Sequence, residues 1–210
     1  MKEGSFFNGL YKLKVFMYNM VMMPTFKKFS VEHVARLLNA GGIIVFPTET
    51  VYGLGCDATN PGALLKIYKI KQREFGKSFP LLVKDFAMLS AHALATETQK
   101  KIIRAAKKPT TFVLKAKNLS PLVTTKQTAA FRITQHPWIR RLFKYFDKPI
   151  VATSANISGQ KPLQDPREYK EVFGGYASLI DAVVFVGVNR KTKPSRIIDL
   201  TKQKPVVIRP

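Results

Sequence analysis

The sequence predicts an α/β (α+β) fold, with helices flanking a twisted sheet of mixed parallel and antiparallel strands. Three observations point there. Short continuous apolar runs, such as 43–46 and 150–152, read as buried strands. Amphipathic stretches with capping signals alternate with them. Several neighbouring strands also lie too close together for a helical crossover, so part of the sheet must be antiparallel.

The elements follow in chain order. Ser30 caps a first helix with an apolar face of Val31, Val34, Ala35, Leu37 and Leu38, and Gly41-Gly42 ends it. Ile43 to Phe46 is a strand closed by Pro47. Asn60-Pro61 starts a helix that carries Leu64, Leu65 and Tyr68 and reaches Lys71. Pro80 to Val83 is a strand, and helical stretches follow at 85–93 and 96–106. Thr111 to Lys115 and Ala129 to Ile133 are strands, and His136 to Phe146 is an amphipathic helix around Trp138, Ile139, Leu142 and Phe143. After the strand Ile150 to Ala152, Asp165-Pro166 marks a short helix. Val183 to Val186, Ile197 to Leu200 and Val206 to Ile208 complete the strands. No internal repeat and no low-complexity linker divides the chain.

Residues 1–29 read as an N-terminal extension ahead of one domain at 30–210. Their basic Lys12 and Lys14 precede an apolar run that Asn19 interrupts, and no small-x-small cleavage site follows. A translated upstream extension, with the start at Met20, Met22 or Met23, is the expectation; a membrane-touching or partner-binding arm is the alternative.

The chain has 210 residues, 46% of them hydrophobic, which suits one large domain and excludes chain-wide disorder. No run approaches the roughly 18 apolar residues of a membrane span. One cysteine, Cys56, excludes an internal disulfide and a thiolate zinc cage. Charge is the unusual feature: 35 Lys and Arg face 13 Asp and Glu, for a formal net charge of +22. Such an excess excludes a cationic partner and favours a polyanion: nucleotide, RNA or anionic membrane. Because the lysines are spread along the whole chain, solvated surface charge explains them as well.

Three polar clusters sit beside these elements. Pro47-Thr48-Glu49-Thr50-Val51-Tyr52-Gly53-Leu54-Gly55 begins where a buried strand ends, the position at which open sheets hold ligands. Thr48 and Thr50 share one side of an extended loop; they suit a small polar ligand, or a turn whose threonines cap nearby groups. Lys69, Lys71, Arg73 and Lys77 gather at a helix end and the loop after it. Converging cations persist most naturally around an anion such as a triphosphate, although the helix dipole alone accounts for Lys69. Thr153-Ser154-Ala155-Asn156-Ile157-Ser158-Gly159 again follows a buried strand, and Ser154 and Asn156 share a side. They offer the donors and acceptors that an amino acid or base requires, and are equally ordinary turn residues. Arg132 lies within an apolar strand, so a carboxylate of protein or ligand must pair it. His33, His92 and His136 show no metal spacing, Cys56 reads as a small buried hydrophobe, and no P-loop or Rossmann glycine fingerprint is present.

In this order, the residues resemble the YrdC-like family of threonylcarbamoyl-AMP synthases in its short, single-domain form. The Pro-Thr-Glu-Thr-Val-Tyr-Gly-Leu-Gly stretch at 47–55 is that family's hallmark. Lys71-x-Arg73, the arginine strand at 129–133, Ser154-Ala155-Asn156-x-Ser158-Gly159, Ser195 and Ile208-Arg209-Pro210 follow at the expected distances. The resemblance implies a mixed sheet around a large, open, positively charged cavity. It implies that L-threonine, bicarbonate or carbon dioxide, and ATP give L-threonylcarbamoyl-adenylate and pyrophosphate, a nucleotidyl transfer. A partner transferase complex then modifies the adenosine beside the anticodon of tRNAs reading codons that begin with A.

Carried over by motif, Thr50, Arg132, Ser154 and Ser195 look like L-threonine contacts, with Arg132 on the substrate carboxylate. Lys71, Arg73, Lys77, Thr128, Asn156 and Arg209 look like ATP contacts. Magnesium is expected with the ATP, held by phosphate oxygens and water rather than by a protein metal site. The resemblance further implies a cytoplasmic protein with no membrane partner, and makes tRNA or double-stranded RNA a candidate for the basic surface. The chain departs from the family where Lys107-Lys108-Pro109 stands for Pro-Gly-Pro, where Ser195-Arg196 stands for Ser-Thr, and after Arg73, which leaves Lys77 less firmly matched. Two other readings fit the charge and the cavity: an RNA-binding module without catalysis, and a relative of the carbamoyl-transfer domain of hydrogenase maturation proteins.

Overall fold

The computed structural model describes residues 29–188 and 194–210. The expectation of an N-terminal extension therefore lies, for residues 1–28, outside the described residues. The strands are mixed, as expected, but they divide into two sheets rather than one.

Helix α1 (Val31–Asn39) is capped by Ser30, whose hydroxyl accepts from the His33 N–H, and it buries Val34, Ala35 and Leu38. Gly41 takes a φ of 77°, which lets the chain reverse out of the helix and into strand β1 (Ile44–Phe46). Strand β2 (Gly53–Gly55) pairs antiparallel with β1, β8 (Thr153–Ser154) pairs antiparallel with β2, and β9 (Ala182–Val183) runs parallel to β1. These four strands form the first sheet, in the order β8-β2-β1-β9.

The second sheet holds β3 (Leu81–Val83), β4 (Ala93–Leu94), β5 (Thr110–Ala116), β6 (Thr128–Ile133), β7 (Ile150–Val151), β10 (Arg196–Asp199) and β11 (Val206–Arg209). Its main path is β11-β10-β5-β6-β3-β7, with β4 paired to β5. The β10–β5 and β3–β6 pairs are parallel, and the others are antiparallel. Helix α2 (Pro61–Lys71) starts at an Asn60 cap and stops at Gln72, a left-handed residue with φ 48°. Helices α3 (Phe86–His92), α4 (Glu97–Ala105, with a Thr96–Gln99 capping box), α5 (Pro137–Leu142) and α6 (Tyr169–Phe173) are the other α-helices among the described residues.

The shortest of the chain's passages between the two sheets follows β7. Strands β7 and β8 are separated by Ala152 alone, so the backbone leaves the second sheet and enters the first within a single residue. Cross-links fix this crossing: the Val151 N–H donates to the Cys56 carbonyl, the Ala152 N–H to the Pro80 carbonyl, and the Ala155 N–H to the Tyr52 carbonyl. Phe46, Leu54, Leu81, Phe131 and Ile150 are fully or almost fully buried around it.

Several elements differ from the sequence expectation for physical reasons. The Gly53–Gly55 segment is a strand rather than loop because it pairs with both β1 and β8, and its two glycines admit the close approach of Phe46 and of the Val151 carbonyl. The strand expected at 183–186 occupies Ala182–Val183 only; beyond it Phe185 and Val186 are exposed. The helix expected at 136–146 ends at Leu142 and tightens into i→i+3 bonds through Tyr145, while Phe143 and Phe146 stay buried. Of the apolar residues that α2 carries, Leu64 and Tyr68 are buried and Leu65 is 48% exposed.

A Cβ on residue 55 would fall 2.1 Å from the Val151 carbonyl oxygen and 2.7 Å from Phe46 Cε1. Gly55→Ala should therefore lower the free energy of unfolding by at least about 2 kcal/mol, an overpacking cost, read from the midpoint of urea unfolding.

Candidate active site

Alternate residues of a strand share a face, and this fixes where the site lies. Thr111 and Val113 of β5, Ala130 and Arg132 of β6, and Ile208 beside Arg209 of β11 all line one cavity of about 730 Å³. The β1–β2 loop closes it from the first sheet with Thr48, Thr50 and Val51, and the crossing segment adds Ser154 and Asn156. Its size falls in the usual range for ligand sites, roughly 300–1,000 Å³. Arg73, Arg132 and Arg209 line it, and no carboxylate does among the described residues.

Glu49 anchors the β1–β2 loop. Its Oε1 accepts from the Thr134 hydroxyl at 2.6 Å, the Gln135 N–H at 2.7 Å and the His136 N–H at 2.9 Å. It thereby satisfies the chain entering α5, where His136 makes no side-chain cap bond. Its Oε2 stands 3.5 Å from Arg132 Nη2, and both side chains are largely buried. Burial opposes ionisation of Glu49, but Arg132, Thr134 and the backbone N–H groups outweigh it and hold the carboxyl below the usual carboxylate range. The carboxylate that the buried arginine demands is thus supplied by the protein itself. Arg132 Nη1 also lies 3.5 Å from the Thr50 hydroxyl, so the guanidinium bridges the loop and the cavity.

Thr48 is consumed by the turn: its hydroxyl donates to the Val51 carbonyl and accepts from the Thr50 N–H. Ser195 and Arg209 form a second corner. Arg209 Nε donates to the Ser195 carbonyl at 2.8 Å and Nη2 to its hydroxyl at 3.3 Å, while Ser195 Oγ lies 3.0 Å from Thr111 Oγ1. Arg73 is set by the loop after α2, donating to the Lys77 and Ser78 carbonyls and stacking over Phe79 at 5.0 Å.

Of the sequence-predicted contacts, Thr50, Arg73, Arg132, Ser154, Asn156, Ser195 and Arg209 line this one cavity. Lys71, Lys77 and Thr128 are not among its lining residues. Lys71 is buried behind it, donating to the Ser154 carbonyl at 2.7 Å and to Asn156 Oδ1 at 2.6 Å. The Lys77 side chain is exposed and pairs with Glu74 at 2.8 Å; it is the Lys77 backbone that holds Arg73. Thr128 stands two residues before Ala130 on the same face of β6, but its hydroxyl turns to the Thr125 carbonyl. Sequence reasoning passed over Glu49 and Thr111. A polar residue in the otherwise apolar strand Thr111–Leu114 was the available signal for Thr111; Glu49 gave none, since its hydrogen-bond partners lie 85 or more residues away.

Two measurements check these electrostatics. Glu49→Gln should cost about 3 kcal/mol of stability at pH 7, the scale for breaking a buried ion pair. The difference should close in acid: a carboxyl depressed in the folded state loses its contribution as pH falls through that lowered pKa, so the chain and variant converge below the ordinary 4.5. The pKa of Lys71 is lowered as well, but here because its charged form is disfavoured. Burial, and Arg73 beside it, push its ammonium down to about 7 from the ordinary 10.5. Between those values the unfolded chain binds the extra proton, so stability should rise with pH there, and Lys71→Met should abolish that rise in a series of urea titrations.

The chain can be placed among known proteins. The profile of the Sua5/YciO/YrdC family, described as telomere recombination, matches residues 36–210. A threonylcarbamoyl-AMP synthase of Vibrio vulnificus is 32% identical over 176 residues, which cover 81% of this chain and 93% of that protein. The structure of P. abyssi Sua5 complexed with L-threonine superposes with a TM-score of 0.78 at 30% identity, covering 86% of this chain; this chain spans 53% of that one. E. coli YciO gives a TM-score of 0.76 at 27% identity, covering 85% of this chain and 87% of YciO. With its arginine-lined cavity between two mixed sheets and a match across most of its length, the chain belongs to the Sua5/YciO/YrdC family.

Proposed function

We propose that this protein is an L-threonylcarbamoyl-adenylate synthase. L-Threonine, bicarbonate or carbon dioxide, and ATP are its substrates, and threonylcarbamoyl-adenylate and pyrophosphate are its products. The observation that carries this reading is the convergence of Thr50, Arg132, Ser154 and Ser195 with Arg73, Asn156 and Arg209 on one cavity. The relatives named threonylcarbamoyl-AMP synthase and the threonine-bound Sua5 support it.

The chemistry suits the residues. The threonine amine adds to the carbon of carbon dioxide and loses a proton, giving a carbamate. A carbamate oxygen then attacks the α-phosphorus as the bond to pyrophosphate breaks. Neither step needs a nucleophilic side chain; both need oriented reactants and neutralised oxygens. Arg132, already fixed by Glu49, takes the threonine carboxylate, and Arg73 and Arg209 take phosphate oxygens. Because the described lining offers no carboxylate, magnesium arrives with the triphosphate and is held by phosphate oxygens and water. The labile product passes to a tRNA-modifying transferase in the cytoplasm. Among the described residues, no helix is long and apolar enough to cross a membrane.

Incubation with ATP, bicarbonate and single amino acids tests the reading. Threonine-dependent pyrophosphate release, with the adenylate detected by mass spectrometry, is the expected result. RNA binding without such release would instead identify a non-catalytic module, and release driven by carbamoyl phosphate a carbamoyl-transfer relative. Arg132→Ala should raise the KM for threonine by at least about 30-fold, on the scale of a truncated buried charge contact, and change ATP affinity less than about threefold. Unaltered threonine use by that variant would remove the assignment of Arg132.

A further inference from the structure

The buried ammonium of Lys71 has no place in the cavity wall, yet it touches two residues that do. Lys71 is 2% exposed. Its Nζ donates to the Ser154 carbonyl and to Asn156 Oδ1. The same Oδ1 accepts from Ser154 Oγ at 2.7 Å, and Asn156 Nδ2 donates to the Gln160 carbonyl.

These contacts leave one arrangement of protons. An ammonium has donors and no acceptor, so the amide of Asn156 must turn its oxygen to Lys71. A flipped amide would also set its NH2 against the ammonium and its oxygen against the Gln160 carbonyl. With Oδ1 so placed, the Ser154 hydroxyl has only an acceptor before it and must spend its single proton there. Ser154 therefore presents lone pairs alone to the cavity. Arg73, Arg132 and Arg209, which line the same cavity, can only donate. The site is thus polarised: anionic oxygens belong at the arginines, and an N–H or O–H donor belongs at Ser154.

We infer that Lys71 is a positioning residue which, through Asn156, makes Ser154 an obligate hydrogen-bond acceptor and so selects a substrate with a donor, the amine or hydroxyl of the amino acid, at that corner. The inference rests on the proposed threonine reading and goes beyond it, since it moves Lys71 from the phosphate contacts to the specificity of the amino-acid subsite. Desolvation of Lys71 without a carboxylate partner, which lowers its pKa to about 7, agrees with a group facing dipoles rather than phosphate. Both protonation states of the amine donate the two bonds observed.

A double-mutant cycle separates the two roles. L-Threonine affinity is measured by calorimetry for the unmutated chain, Lys71→Met, Ser154→Ala and the double variant, and AMP, ADP and ATP are titrated into each. The expected result is that each single change weakens threonine binding by at least tenfold, and that the double variant is no weaker than the worse single one. Lys71→Met should shift the three nucleotides by a common factor. Independent, multiplying losses, or a loss that grows steeply from AMP to ATP, would make Lys71 a phosphate contact and overturn the inference.

A measurement on the unmutated chain covers the case in which Lys71→Met fails to fold. The Lys71 ammonium signal in a 15N-resolved spectrum should hold its position when ATP is added; a direct phosphate contact would displace it, and such displacement refutes the proposal. Threonine-dependent pyrophosphate release is scored first. Its absence removes the threonine reading while the ammonium signal still decides what Lys71 does.

Discussion

The site depends on one buried carboxylate. Glu49 belongs to a loop of the first sheet, but every hydrogen bond it accepts comes from Thr134, Gln135 and His136, where the second sheet passes into α5. A carboxylate with several donors and a guanidinium nearby is cheap to keep ionised and costly to move. The β1–β2 loop is therefore held at a fixed height above β6. Arg132 lies at the junction, and its direction follows from that of Glu49. With the loop elsewhere, Thr50 would leave the cavity and Arg132 would lose its only nearby carboxylate among the described residues.

The rest of the cavity is organised by donors and acceptors rather than by nucleophiles. Burial, with Asp57 adding to it, drives the Cys56 thiol upward and keeps it protonated. Burial also draws His92 and His136 below the ordinary histidine range, and the Nδ1 of each is buried without a partner. These groups sit outside the lining. What the lining offers is three guanidinium groups, hydroxyls and the amides of Asn156 and Gln160, a set that positions reactants and neutralises charge as the proposed adenylate formation requires. Outside the lining, the Tyr52 hydroxyl donates to the Gly187 carbonyl and accepts from the Val186 N–H, tying the segment after β9 to the family's hallmark stretch.

Much of this was legible in the sequence because it is local. Ser30, Asn60 and Thr96 cap helices with their own side chains three residues on, and a cap is decided by neighbours. The buried strands announced themselves by β-branched and apolar runs. Short pairings such as β4 and β8 did not, since two-residue strands carry no period and form only because a partner lies beside them. Thr128 and Lys77 show the limit at the site: both stand at the right place along the chain, and each side chain has a closer partner, the Thr125 carbonyl and Glu74.

The sequence alone determined the class of fold and the residue types of a cationic, hydroxyl-bearing site, because composition, periodicity and spacing are properties of the chain itself; its motifs carried the resemblance to the family. Tertiary structure decided which way those groups face. Lys71 and Arg73 are two residues apart and both cationic, yet one is buried behind Asn156 and the other lines the cavity. Arg73 is held by the loop that follows it, but Lys71 owes its place to burial and to partners more than eighty residues away, and energies of that kind exist only once the two sheets have met.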